Sequence, residues 1–97
     1  MNDSNKTKIA ILKHLYKHGY IGKRHTPFEN ALKGIPKHLR GEAKDSLENM
    51  IKTGLVLPYP TGHGLDVRIN PDRVPEVKRI IGVDLPNRQM GIFKLRY

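Results

Sequence analysis

Residues 39–69, LRGEAKDSLENMIKTGLVLPYPTGHGLDVRI, decide how this chain is read. Leu39, Ala43, Leu47, Met50 and Ile51 share one face at helical spacing, so the first half reads as an amphipathic helix. Gly54 stops it, because glycine takes the left-handed cap conformation that a Cβ resists. Leu55-Val56-Leu57 opens an extended run. Tyr59-Pro60-Thr61-Gly62-His63-Gly64 supplies a turn, and Leu65, Val67 and Ile69 alternate on one face of a returning strand. The expectation is a helix that runs straight into a hairpin.

Upstream, Asn5 or Ser4 caps a first helix that extends to about His18. Its apolar stripe is Ile9, Leu12, Leu15 and Tyr16, with Lys6, Lys13, Lys17, His14 and His18 largely on the other side. Gly19 ends it, and Tyr20-Ile21 is a candidate short third strand. Thr26-Pro27-Phe28-Glu29 then has the form of a helix start, with Thr26 as cap, Pro27 in the first position and Glu29 closing a capping box. That helix is short, turns Phe28, Ala31 and Leu32 inward and closes at Gly34. The next helix opens either at Pro36 or nearer Arg40, since Gly41 weakens its first turns by about 1 kcal/mol relative to alanine.

Downstream, Asn70-Pro71-Asp72 is a further cap signal, with Pro75 as a second candidate for the start of the last helix. Val74, Val77, Ile80 and Ile81 form its inward side, and Gly82 ends it. Residues 1–82 therefore read as one domain. Residues 83–97 read as a tail that begins as loop and ends in the apolar-basic run Ile92-Phe93-Lys94-Leu95-Arg96-Tyr97, suited to a strand, to packing on the domain or to self-association.

Ninety-seven residues hold a single hydrophobic core. With no cysteine there is no disulfide framework, thiolate metal site or cysteine nucleophile. The polar start Met1-Asn2-Asp3-Ser4-Asn5-Lys6 is unlike a secretory signal, and no apolar run approaches the roughly 20 residues of a membrane helix. The expectation is a cytoplasmic protein with no membrane partner. The net charge is +9. Residues 1–41 carry nine Lys/Arg against two acids, residues 42–53 two against three, and residues 54–97 seven against four. The excess lies ahead of the helix that leads into the hairpin, and a polyanion is its natural partner through counterion release.

The order helix, short strand, helix, helix, strand, wing, strand, helix resembles the winged helix-turn-helix superfamily. The segment Ser46-Leu47-Glu48-Asn49-Met50-Ile51-Lys52-Thr53-Gly54-Leu55-Val56 is similar to the recognition-helix end and first wing strand of prokaryotic transcription regulators. Lys8–Ile81 looks like the small stand-alone winged-helix proteins of archaea. The resemblance implies an α+β, mostly helical fold: a three-helix core, a two- to three-stranded β-wing and an extra C-terminal helix. It also implies insertion of the third helix into the major groove of double-stranded DNA, with the wing on adjacent backbone, in the service of transcription regulation. Pairing of two copies on two half-sites would make the protein a homodimer.

On that pattern Lys37, His38, Arg40 and Lys44 occupy the exposed early positions of the third helix. Arg40 and Lys37 suit guanine O6 and N7, and Lys44 suits phosphate. Lys23 and Arg24, just ahead of the second helix, suit a phosphate held near a helix terminus. On the wing, Tyr59 suits stacking, His63 sits in the turn, and Arg68, alternating with Val67 and Ile69, faces solvent. Asp45 and Glu48 further down the third helix oppose a phosphate backbone. They and the apolar tail favour an alternative, an RNA-binding or protein-interaction module of a larger assembly.

His14 and His18 have metal-ligand spacing, but the residues between them lack the zinc-protease glutamate and the surrounding lysines repel a cation. No metal and no cofactor is expected. No phosphate loop, nucleotide fingerprint or nucleophile elbow is present, and Ser4 and Ser46 read as a cap and a packing position, so an enzyme is not expected.

Overall fold

A computed structural model of the chain describes residues 3–82. The tail expected at residues 83–97 lies outside them. The described residues form an α+β arrangement of four α-helices and a three-stranded antiparallel sheet, compatible with the winged-helix order expected from the sequence.

Helix α1 spans Asp3–Lys17. Its buried face is Thr7, Ile11, Leu12 and Leu15. Ile11 is fully buried and Ile9 only half-buried, so the stripe is rotated from the expected one. The reason is Thr7: its hydroxyl lies 2.9 Å from that of Ser46 inside the core, which turns the i, i+4, i+8 series of Thr7, Ile11 and Leu15 toward the neighbouring helix. At the C-terminus the Tyr20 N–H donates to Leu15 O and the Gly19 N–H to Tyr16 O, a paired closure that requires the left-handed φ of 73° at Gly19.

The first strand, β1, is Thr26–Pro27, not Tyr20-Ile21. Ile21 makes a single parallel bridge to Ile69. Thr26 is buried in the sheet and pairs with Val67, and its hydroxyl accepts from Asn30 Nδ2 at 2.6 Å. It therefore does not cap the helix α2, Phe28–Ala31, where Pro27 holds the cap position without a side-chain hydrogen bond. Strand pairing with a segment 40 residues away outweighs the local helix-start signal of Thr-Pro-x-Glu.

A short 3-10 turn at Lys37–Leu39 leads into helix α3, Arg40–Lys52. Ala43, Ser46, Leu47 and Met50 are its buried residues. It closes as α1 does: the Leu55 N–H donates to Met50 O and the Gly54 N–H to Ile51 O, with φ 84° at Gly54. Strands β2, Val56–Thr61, and β3, Gly64–Ile69, form the hairpin, with Val56 opposite Ile69 and Thr61 opposite Gly64. The turn is thus only Gly62-His63, shorter than expected. The sheet order is β1-β3-β2.

Val56, Val67 and Ile69 line the sheet's inner face and meet α1 and α3. Leu65 shares their alternation but is 39% exposed, because the hairpin there has run past the helices. Asn70 then joins three pieces: its Oδ1 accepts from the Asp72 N–H, its Nδ2 donates to Gly54 O, and its N–H donates to Leu55 O. It caps a 3-10 turn at Pro71–Arg73, and α4 follows at Val74–Ile81, burying Val77 and Ile81. Among the described residues no helix is long and apolar enough to cross a membrane.

Candidate nucleic-acid interface

The start of α3 is built by its preceding loop. Ile35 is buried, and its carbonyl accepts from Arg40 Nε at 3.0 Å. Leu39 N–H closes on Pro36 O. These bonds hold Lys37, His38, Arg40 and Lys44 on the exposed surface. Arg40 therefore has a structural bond as well as exposed terminal amino groups. A Cβ built on Gly41 meets nothing within 4 Å, so the helix surface there is open to close approach.

Lys44 and His63 are brought together. They line one cleft of about 430 Å³ between α3, the start of α2 and the hairpin tip. Glu29 and Glu48 share that cleft, as do Phe28 and Leu65, and Asp66 borders it with its carboxylate turned to His25. Its floor is apolar and its carboxylates outnumber its cations, so a phosphate is repelled from its interior. Lys44 offers its charge from the rim.

Tyr59 and Arg68 are brought together elsewhere, on the outer face of the sheet. The Arg68 guanidinium carbon lies 5.5 Å from the Tyr59 ring centroid, within cation–π reach. Arg68 Nη1 donates to Gly22 O at 2.7 Å, and Nε is buried without a partner. Arg68 thus ties β3 to the Gly22–His25 loop, rather than facing solvent as its alternation alone predicts. Tyr59 has a second ring neighbour. His25 stacks on it, with centroids 3.9 Å apart and planes 13° from parallel, and His25 Nδ1 donates to Asp66 Oδ2 at 2.6 Å. Tyr59 stacks within its own sheet. Sequence reasoning did not place His25 or Asp66 here. The available signal was the register of the hairpin, which sets Tyr59 directly opposite Asp66.

Lys23 and Arg24 are exposed on the same loop. Arg24 leans the other way, its guanidinium carbon 5.4 Å from the Tyr20 ring centroid. Among the described residues the ion pairs are His25–Asp66 and Arg73–Glu76, so Lys23, Lys37 and Lys44 have no described carboxylate within pairing distance. No group of three or more His, Cys, Asp and Glu among the described residues is placed to hold a metal ion. Compared with protein-family models, curated proteins and solved structures, the chain matches none.

Proposed function

We propose that the chain is a winged helix-turn-helix protein that binds double-stranded DNA, in the manner of a transcription regulator. The observation that carries this reading is the exposed group Lys37, His38, Arg40 and Lys44, none of it in an ion pair among the described residues, at the start of a helix that runs directly into an antiparallel hairpin. The first turns of α3 meet the duplex, with open backbone at Gly41 allowing close approach. His63 at the hairpin tip and Lys23 on the Gly22–His25 loop contact flanking phosphates. Asp45 and Glu48 confine the contact to the amino-terminal half of α3. Arg68 and Tyr59 support the sheet face rather than meeting bases. Fluorescence anisotropy with a labelled duplex library at low salt tests this. Lys37→Ala and Lys44→Ala each weaken binding, while Arg79→Ala on the exposed side of α4 leaves it unchanged. Equal effects of all three would remove the assignment of the face.

The cleft between α3 and the hairpin tip favours a second reading, a protein-interaction module. Phe28 and exposed Leu65 beside Glu29 and Glu48 suit an apolar, basic peptide better than a phosphate. A stoichiometric protein partner that is lost on Leu65→Ser, with duplex binding absent from the start, would favour this reading over the first.

A further inference from the structure

A second cleft, also of about 430 Å³, lies between the C-terminal end of α1 and the turn that follows α2, and has the opposite character. Among the described residues its lining is His14, His18, Tyr20, Asn30, Lys33 and Gly34, none of them a carboxylate. The His14 and His18 rings are 4.6 Å apart, and His18 stacks on Tyr20 at 6.0 Å. The Arg24 guanidinium carbon lies 5.4 Å from the centroid of that tyrosine ring. His14 Nε2 is enclosed and has no hydrogen-bond partner. His18 is exposed, so a rotamer change of its ring uncovers that nitrogen.

We propose that this cleft is a binding site for a phosphate group, held by Lys33, His18 and His14. Lys33 supplies a fixed positive charge from the α2 side, and the two imidazoles supply N–H donors from α1. Gly34, over which a Cβ would meet nothing within 4 Å, leaves the mouth open. The absence of acids is what separates this cleft from the one beside Lys44. Protonation belongs to the mechanism. Among the described residues, the charged groups acting on His14 are His18 and Lys17 on its own helix and Lys33 across the cleft. An anion relieves that repulsion and favours the protonated His14 ring, so binding is linked to proton uptake. The inference does not rest on duplex binding, because a small anion occupies the site without nucleic acid.

Sulfate is the probe, since its charge does not change over the relevant pH range. The full chain is titrated with sulfate at constant ionic strength, followed by NMR of the backbone amides and histidine rings. We expect saturable shifts at His14, His18, Asn30, Lys33 and Gly34, with affinity about tenfold higher at pH 5.5 than at pH 7.5. Lys33→Ala weakens sulfate about tenfold and Lys33→Arg retains it. Lys33 is exposed, so both variants keep the fold, and amide dispersion verifies this. Shifts that grow without saturating, an affinity indifferent to pH, or full binding by Lys33→Ala would each overturn the proposal. A final arm adds duplex DNA. Displacement of sulfate identifies the natural phosphate as a nucleic-acid backbone, and coexistence identifies it as a free phosphate compound. Duplex binding without sulfate binding leaves the function above intact and ends this inference alone.

Discussion

Arg68 carries an alternation that places it on the sheet's outer face, and the structure keeps it there while giving it a different task. Its bond to Gly22 O spans 46 positions in sequence, a contact that no local pattern encodes. Replacing Arg68 by alanine removes a charge-assisted hydrogen bond and the Tyr59 contact, and should lower stability by about 1–2 kcal/mol in urea unfolding. Lys23→Ala, on the same loop but exposed, should stay within about 0.5 kcal/mol. A stability loss for Lys23→Ala as large as that for Arg68→Ala would contradict the division between supporting and contacting residues. His14 gives a residue-scale prediction in pH. Burial lowers its pKa below the ordinary imidazole value, the positive charges of His18, Lys33 and Lys17 add to the effect, and a backbone hydrogen bond to Asn30 works against it. The unfolded chain therefore takes up the proton first. Stability should fall as pH drops below about 6.5, through the window between the unfolded and the lowered folded pKa. His14→Gln should flatten that part of the profile, and an unchanged slope would contradict the assignment.

At the scale of elements, what was legible and what was not divide along a physical line. Helix α3 and its stop could be read because apolar spacing and Gly54 are local signals of a structure closed by local hydrogen bonds. Gly54→Ala should cost about 1–2 kcal/mol, since φ 84° is strained for any residue with a Cβ. Leu47→Ala, fully buried between α1 and the sheet, should cost about 2–5 kcal/mol. Strand β1 could not be read. Two residues carry no alternation, and Thr26-Pro27 resembles a helix start when its partner Val67 is out of view. The rotation of α1 from Ile9 to Ile11 has the same origin, because the Thr7–Ser46 hydrogen bond that orients it joins residues 39 positions apart. The candidate site divides in this way too. Arg40 and Lys44, one turn apart on α3, follow from helical periodicity, whereas Lys37 and His38 are exposed on the 3-10 turn ahead of it. Neither the cleft that sets Lys44 beside Glu29 and Asp66 nor the one that sets Lys33 beside His14 has any signature within one segment.

Over the whole molecule, the charge of +9 is not spread evenly. One cleft gathers Glu29 and Glu48 around Phe28 and Leu65, and another gathers His14, His18 and Lys33. Between fold and function the link is therefore electrostatic. A duplex is met by cations that have no described carboxylate partner, with Lys44 and His63 reaching it from the rim of the acidic cleft. The most direct measurement is the salt dependence of duplex affinity for the native chain and for the double variant Lys37→Ala/Lys44→Ala. The account predicts a steep linear fall of log affinity with log salt, with the double variant's slope shallower by about two, roughly one for each cation removed from the duplex. No binding at low salt, or identical slopes for the two proteins, would contradict it.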